Sequence, residues 1–497
     1  MFLESVDALS YSKTSNNLFN LISDIVDKVG DNNVVQVITD NGSTLLMENY
    51  PNLYWTPCAA HCIDLILEDI RRLPIIERVL KRVIQMNSFI YQRLGLLNLM
   101  RQFTNQKNLL RPAKTRFATA FITLSSIHKQ QHNLRKMFTS QEWRSRKWAK
   151  KSGGKKAAET IMMPSFWNGT LYALKLTGPL VRALRLVDGE KKPLMGYIYE
   201  AMDRAKEAIS ASFNQNESKY KEVFEMIDKR WQCQLHCSLH AAGHFLNPEY
   251  FYDNPQIEQC QELVNGLYEC IQSLVSQLDK QDKIMTVLTF YKQENGLFRN
   301  QMAIRHRKTK APHEWWSCYG SSTPTLQQFS IKILSLTCSA SGCERNWSTF
   351  EHIHSKKRNR LRQSRLNDLV YVKYNWALVQ NYKLRDKIDP IALKDIDDSN
   401  EWLTGRIEED AENDHVFDDD DDLTWGQVAS AAKVYEERFS LRSRGGRLGE
   451  NIGSSSKGTT QSQPLGQAND DEEDDEEGYL SLEDDMRDVD DFSEEDD

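Results

Sequence analysis

The chain has no uninterrupted apolar run of 18 or more residues and no charged-then-apolar leader ending in a cleavage site. Both absences speak against secretion and membrane spanning and for a soluble intracellular protein. A P-loop, a glycine-rich dinucleotide fingerprint and a Ser/His/Asp arrangement are also missing, which removes the commonest nucleotide-binding and nucleophilic chemistries. No internal repeat is present. Cysteine is sparse and odd in number: the nine residues at 58, 62, 233, 237, 260, 270, 318, 338 and 343 are too scattered for a disulfide framework and suit reduced thiols.

What is there begins with a divided charge. From Asp470 to Asp497 the chain carries 18 acidic residues and one basic residue, a net −17, so against the total of −8 the rest is +9. A mildly basic body with a polyacidic tail fits a protein that touches nucleic acid or chromatin, and equally one that uses the tail as a solubiliser. With 497 residues, 40% of them hydrophobic, the chain is long enough for two or three domains and a substantial core.

Phe2 to Val6 reads as a short strand, Leu18 to Val29 as an amphipathic helix, and Val34 to Ile38 as a buried strand, a β-α-β order with a parallel crossover. Thr39-Asp40-Asn41-Gly42 closes that strand with turn chemistry and puts Asp40 at its C-terminal end, the edge where open α/β sheets build sites. Leu53-Tyr54-Trp55 leads to Thr56-Pro57, favoured at a helix cap and first position, and a helix to about Arg72 follows with Cys58, His61, Cys62, Leu65 and Asp69 on one face. From Pro74 to about Cys318 the pattern is almost entirely helical, broken by a basic, glycine-containing segment at Arg144 to Lys156 and by Pro248 and Pro255. Two later stripes, Leu326, Phe329, Ile333 and Leu336, then Leu366, Leu369, Val370, Tyr374, Ala377 and Leu378, can pack on the core or on a second subunit. After about Thr404 the composition turns to Asp, Glu, Gly and Ser, which predicts a disordered acidic tail.

Candidate chemistry is thin when the residues are taken alone. Asp40 could hold a divalent cation or simply bond its own turn. Cys58-Ala59-Ala60-His61-Cys62 lacks a second ligand pair, and Cys233, His236, Cys237, His240 and His244 lie at the spacing of one helix, which rarely supplies a whole tetrahedral site; no metal is assigned. Lys147, Lys150, Lys151, Lys155 and Lys156, with Arg305 and Arg307 and the run Lys356 to Arg365, could neutralise DNA phosphates, or be solvated helix faces. Trp143, Trp148, Trp315 and Trp316 beside them could stack on bases. The first lysine group also suits nuclear import.

Four ordered motifs carry a resemblance. Val35-Gln36-Val37-Ile38-Thr39-Asp40-Asn41, Tyr54 to Cys62, Thr115-Arg116-Phe117, and Ser341 to Ser348 with Lys357-Arg358-Asn359-Arg360-Leu361 resemble the hAT transposases, in the plant branch with a DUF659 segment and a C-terminal dimerisation segment. The likeness covers residues 1 to about 402. It implies an α/β, RNase H-like core interrupted by a large all-helical insertion, with two aspartates and a glutamate binding Mg²⁺ for DNA cleavage. Asp40 would be the second acid and Glu344 the third. Cys58 and His61 match the family's Cys-x-x-His element, and Arg116-Phe117 its Arg-Trp element with Phe for Trp.

The family's first Asp and its N-terminal zinc finger fall ahead of where this sequence begins, so the resemblance implies an incomplete core, first strand missing, and a vestigial pair of acids. Removing one member of a unit that acts together abolishes most of its rate. The expected layout is 1–73 for the DUF659-like part of the core, 74–318 for the insertion, 319–402 for the dimerisation region completing the core, and 403–497 for the tail. The expected function is that of a non-catalytic, nuclear hAT-derived protein that pairs with itself or a related hAT protein through Leu326, Phe329, Ile333, Leu336, Trp347, Leu366, Leu369, Val370 and Tyr374, with DNA as a further partner and no cofactor. Two alternatives stand beside it. One is a truncated gene product of an active Mg²⁺-dependent transposase whose upstream exon completes the site. The other is a chromatin adaptor whose acidic tail binds histones.

Overall fold

Prolines open many of the helices. Pro74, Pro164, Pro248, Pro312 and Pro324 each stand in a first helical turn, where the missing N–H has no intrahelical partner to lose. The computed structural model describes residues 2–3, 6, 14–40, 44–111, 118–188, 193–343, 350, 353 and 363–384, all within one unit, Met1–Ser440. These residues form a mixed α/β fold that is mostly helical, with a small parallel sheet.

In chain order come α1 (Ser15–Val29), β1 (Gln36–Thr39), α2 (Thr44–Asn49), β2 (Tyr54–Pro57), α3 (Ala59–Arg71), α4 (Pro74–Tyr91), α5 (Leu94–Phe103), α6 (Ala118–His128) and α7 (Gln131–Thr139). Next are α8 (Gln141–Ser145), α9 (Ser152–Met162), α10 (Pro164–Val187), α11 (Ile198–Ser212), α12 (Lys221–Arg230), α13 (Ser238–Leu246) and α14 (Pro248–Asp253). The last are α15 (Gln261–Leu274), α16 (Leu278–Lys292), α17 (Gln301–His306), α18 (Pro312–Tyr319), α19 (Pro324–Leu334) and α20 (Gln363–Leu384).

The parallel pair forms one element later than the sequence suggested. Phe2 and Leu3 lie in no strand, and β1 pairs instead with β2, Gln36 opposite Tyr54 through Thr39 opposite Pro57, with α2 in the crossover. Both faces of this pair are covered, which explains why its apolar residues do not alternate. Val37 and Trp55 face a small cluster of Val26, Leu46 and Leu53 under α1 and α2, while Ile38 and Tyr54 pack on the main core. Pro57 remains in the strand, so α3 starts two residues later than its cap chemistry predicted, with Cys58 as the capping residue. The 403–497 tail lies outside the described residues.

The main core runs continuously from Cys58 to Cys338, across both expected boundaries at 73 and 318. At its centre α10 packs on α3, α4, α6 and α11. Within the stretch expected to be almost entirely helical, α12 gives way to a π-turn at Trp231–Leu235. The basic segment at 144–156 is itself helical, running through α8, a 3₁₀ turn at Lys147–Lys150 and α9. Gly154 makes that fold-back possible, because a Cβ there would lie 2.0 Å from the Trp148 carbonyl oxygen.

Candidate functional site

Backbone pairing carries β1 past the end of the sheet: the Cys58 N–H donates to the Thr39 carbonyl at 2.9 Å, and the Trp55 indole N–H to Thr39 Oγ1 at 2.9 Å. Asp40 follows at once and is exposed. The opening turn of α3 would leave backbone donors unpaired, and a distant segment supplies partners. The Ala59 N–H donates to the Cys338 carbonyl at 2.9 Å. The Cys58 sulfur accepts from the Ala340 N–H at 3.3 Å and lies 3.6 Å from Ser339 Oγ. Ser339 Oγ donates in turn to Ser341 Oγ at 2.8 Å and accepts from the Ser341 N–H at 3.1 Å. Residues 338–341 are thus fastened to the head of α3, next to the strand that ends in Asp40.

Glu344 comes three residues later and lies outside the described residues, as do Arg116, Phe117 and Trp347. Cys58 therefore has a structural task that its place in a Cys-x-x-His motif did not reveal, and His61 is half-buried. Burial, then the Cys58 thiol, push the Cys62 thiol up to about 12, with Arg230 acting against them and Asp40 with them. Arg230 makes a forked ion pair to Asp69 at 2.9 and 3.3 Å, joining the end of α12 to α3. No sequence spacing pointed to that pair, whose members are 161 positions apart.

The His/Cys run breaks up at the π-turn. Cys233 is exposed, His236 pairs with Glu262 at 2.7 Å, and His240 and His244 are buried. His240 Nδ1 lies 2.7 Å from the Leu235 carbonyl, and the His244 ring lies between those of Tyr250 and Tyr199, at centroid distances of 5.4 and 5.6 Å. Burial pushes both imidazoles down to about 4, so each is a neutral packing group at neutral pH. Among the described residues no three His, Cys, Asp or Glu side chains gather as a metal site.

The basic face holds only in part. Arg144, Arg146, Lys147, Lys150, Lys151, Lys155 and Lys156 are exposed, seven cations against the single acid Glu142 over residues 141–156. Arg305 is exposed too. Arg307 is not available for phosphate: its guanidinium lies 3.7 Å from the centre of the Tyr252 ring and pairs with Glu294 at 3.0 Å. Trp143, Trp315 and Trp316 are core residues and cannot stack on bases, and Trp315 and Trp316 each donate their indole N–H to a buried carbonyl. Trp148 alone of the four is half-exposed.

The expected dimerisation residues divide in the same way. Leu326, Phe329 and Ile333 of α19 are buried in the main core and Leu336 packs against it, so this stripe is closed to a partner. A stripe in the sequence shows that a face is apolar, not what covers it. On α20, Leu366 and Val370 are buried, and the Tyr374 hydroxyl donates to the Gly342 carbonyl at 2.7 Å. The adjoining side is held by Phe2, whose backbone N–H and carbonyl meet the Asn375 side chain at 2.8 and 2.9 Å, and whose ring lies against Tyr371 and Tyr374. One face stays open, with Leu369 47%, Val372 66%, Trp376 65% and Val379 51% exposed. Of these four the sequence reading named only Leu369.

Two family models match parts of the chain. A family model described as a domain of unknown function, DUF659, matches residues 1–86, and one described as the hAT family C-terminal dimerisation region matches residues 287–376. No curated protein matches the chain. The first match spans the Asp40 strand end and the second reaches into the open face of α20, and together they support a DUF659-containing, hAT-family transposase-like protein.

Proposed function

We propose that this protein acts in the nucleus as a self-associating hAT-derived protein that contacts DNA through the Arg144–Lys156 face and does not cleave it unaided. The observation that carries self-association is the open apolar face of α20, three of whose four residues fall inside the matched dimerisation region. Large apolar side chains grouped on one exposed face mark an interaction site more often than a solvated surface. Light scattering of the full chain is expected to give twice the monomer mass at micromolar concentration; a monomer at every concentration overturns this reading.

DNA contact rests on the seven exposed cations of the α8–α9 turn. Each phosphate neutralised contributes about 0.9 to the slope of log affinity against log salt, so Lys147→Ala, Lys150→Ala and Lys151→Ala together are expected to lower that slope by up to about 3, equally for unrelated sequences. An unchanged slope sinks the assignment.

The proposal that DNA is not cleaved rests on the resemblance. Phosphoryl chemistry of the kind the resemblance implies joins three carboxylates around Mg²⁺, of which the resemblance assigns Asp40 and Glu344. Among the described residues no group of three His, Cys, Asp or Glu side chains includes Asp40. Incubation of labelled duplex with the protein and Mg²⁺ or Mn²⁺ is expected to leave it intact. Nicking that disappears in Asp40→Ala overturns the proposal.

A further inference from the structure

Resting on the self-association reading, we infer that α20 pairs with α20 of a second copy in parallel and in register. Leu369, Val372, Trp376 and Val379 are spaced three, four and three residues apart, the alternation that keeps a helix seam facing a partner helix. Their exposure leaves the seam open, while Leu366 and Val370 are covered by the chain and Tyr374 and Asn375 are held by Phe2; Tyr371, 43% exposed with its ring against Phe2, lies off the seam. Arg365, exposed and four residues before Leu369, ends the apolar stripe on its N-terminal side. The seam is about 15 Å long, ten steps of about 1.5 Å, too short to absorb a charge mismatch along its edges.

Charge then decides the orientation. Asp368 and Lys373 are both exposed and flank the seam, Asp368 just before Leu369 and Lys373 just after Val372. In a parallel pair a residue just before one seam position faces the partner residue five places further on, so Asp368 meets Lys373 of the second copy, and symmetry makes the contact twice. Antiparallel pairing over the same four residues sets Lys373 against Lys373 of the second copy and leaves Asp368 unanswered. Like charges placed opposite one another select against that arrangement.

The test uses the full chain in sedimentation equilibrium with four proteins: wild type, Val372→Glu, Asp368→Lys, and Asp368→Lys with Lys373→Asp. All three positions are exposed, so the fold is not at risk. Val372→Glu is expected to abolish the dimer. Asp368→Lys turns two attractive pairs into two repulsive ones and is expected to weaken the dimer about tenfold, and adding Lys373→Asp is expected to restore it. If wild type dimerises and Val372→Glu leaves the dimer intact, the seam is wrong and self-association survives on another surface. If Val372→Glu breaks the dimer and Asp368→Lys does not weaken it, the parallel orientation is wrong. A wild-type monomer overturns the underlying reading together with this one.

Discussion

Replacing Trp316 with alanine is expected to destabilise the fold by about 3–5 kcal/mol, the usual cost of truncating a buried Trp or Phe. The side chain is fully buried, with Tyr291 at 4.8 Å, Phe298 at 5.4 Å and Trp315 at 5.7 Å between ring centroids. Three rigid rings around the gap limit how far it can collapse, which favours the upper part of that range. The Leu246 carbonyl, which accepts the indole N–H at 2.8 Å, would lose its partner as well. Urea unfolding of the two proteins checks the figure. A variant that kept wild-type stability and lost only DNA affinity would return Trp316 to the base-stacking role that its place among basic residues suggested.

Acid is expected to weaken the protein through His240 and His244. Their folded values lie near 4 against an ordinary 6.5, so below about pH 6.5 the unfolded chain takes up protons that the folded chain refuses. Stability therefore falls as pH drops from about 6.5 to about 4 and levels off below that. Between pH 7 and pH 5 each histidine accounts for about 2 kcal/mol. Glu249 works in the opposite sense: burial pushes its carboxyl up to about 7, so the folded state holds that proton more tightly and gains as pH falls. Comparison with His244→Phe, which keeps a ring between Tyr199 and Tyr250 and removes one titration, separates the two effects. The difference in unfolding free energy between wild type and variant is expected to shift by about 2 kcal/mol over that pH interval. A pH-independent difference would mean that His244 titrates normally in the fold.

Helices were the most legible part of the sequence because apolar spacing near 3.6 runs along them, although Pro248, read as a break, in fact opens α14. The strand at Gln36–Thr39 and the acid after it were legible from β-branched residues running into Asp-Asn-Gly. Its partner was harder: β2 has four residues, too few to show a period, and Phe2 to Val6 looked at least as strand-like. The π-turn left no mark in composition, and around it a run of metal-type residues becomes one exposed thiol, one half-buried thiol, one surface ion pair and two packed imidazoles. The open face of α20 was blurred for a different reason. Leu366 and Val370 point inward while Val372 and Trp376 point outward, so apolar residues occur on two sides and no single stripe dominates. Cys58 fell at a recognisable motif, but its bond to the Ala340 N–H is a contact between distant segments that no local pattern encodes.

That last contact sets a schedule for synthesis. Cys58 and Ala340 are 282 residues apart, and a ribosome adding about 5–20 residues per second needs roughly 15–55 s to cover the distance. For that interval the head of α3 waits without the segment that accepts from the Ala59 N–H and donates to the Cys58 sulfur. The head of α3 can reach its final hydrogen bonding only once residue 340 has emerged.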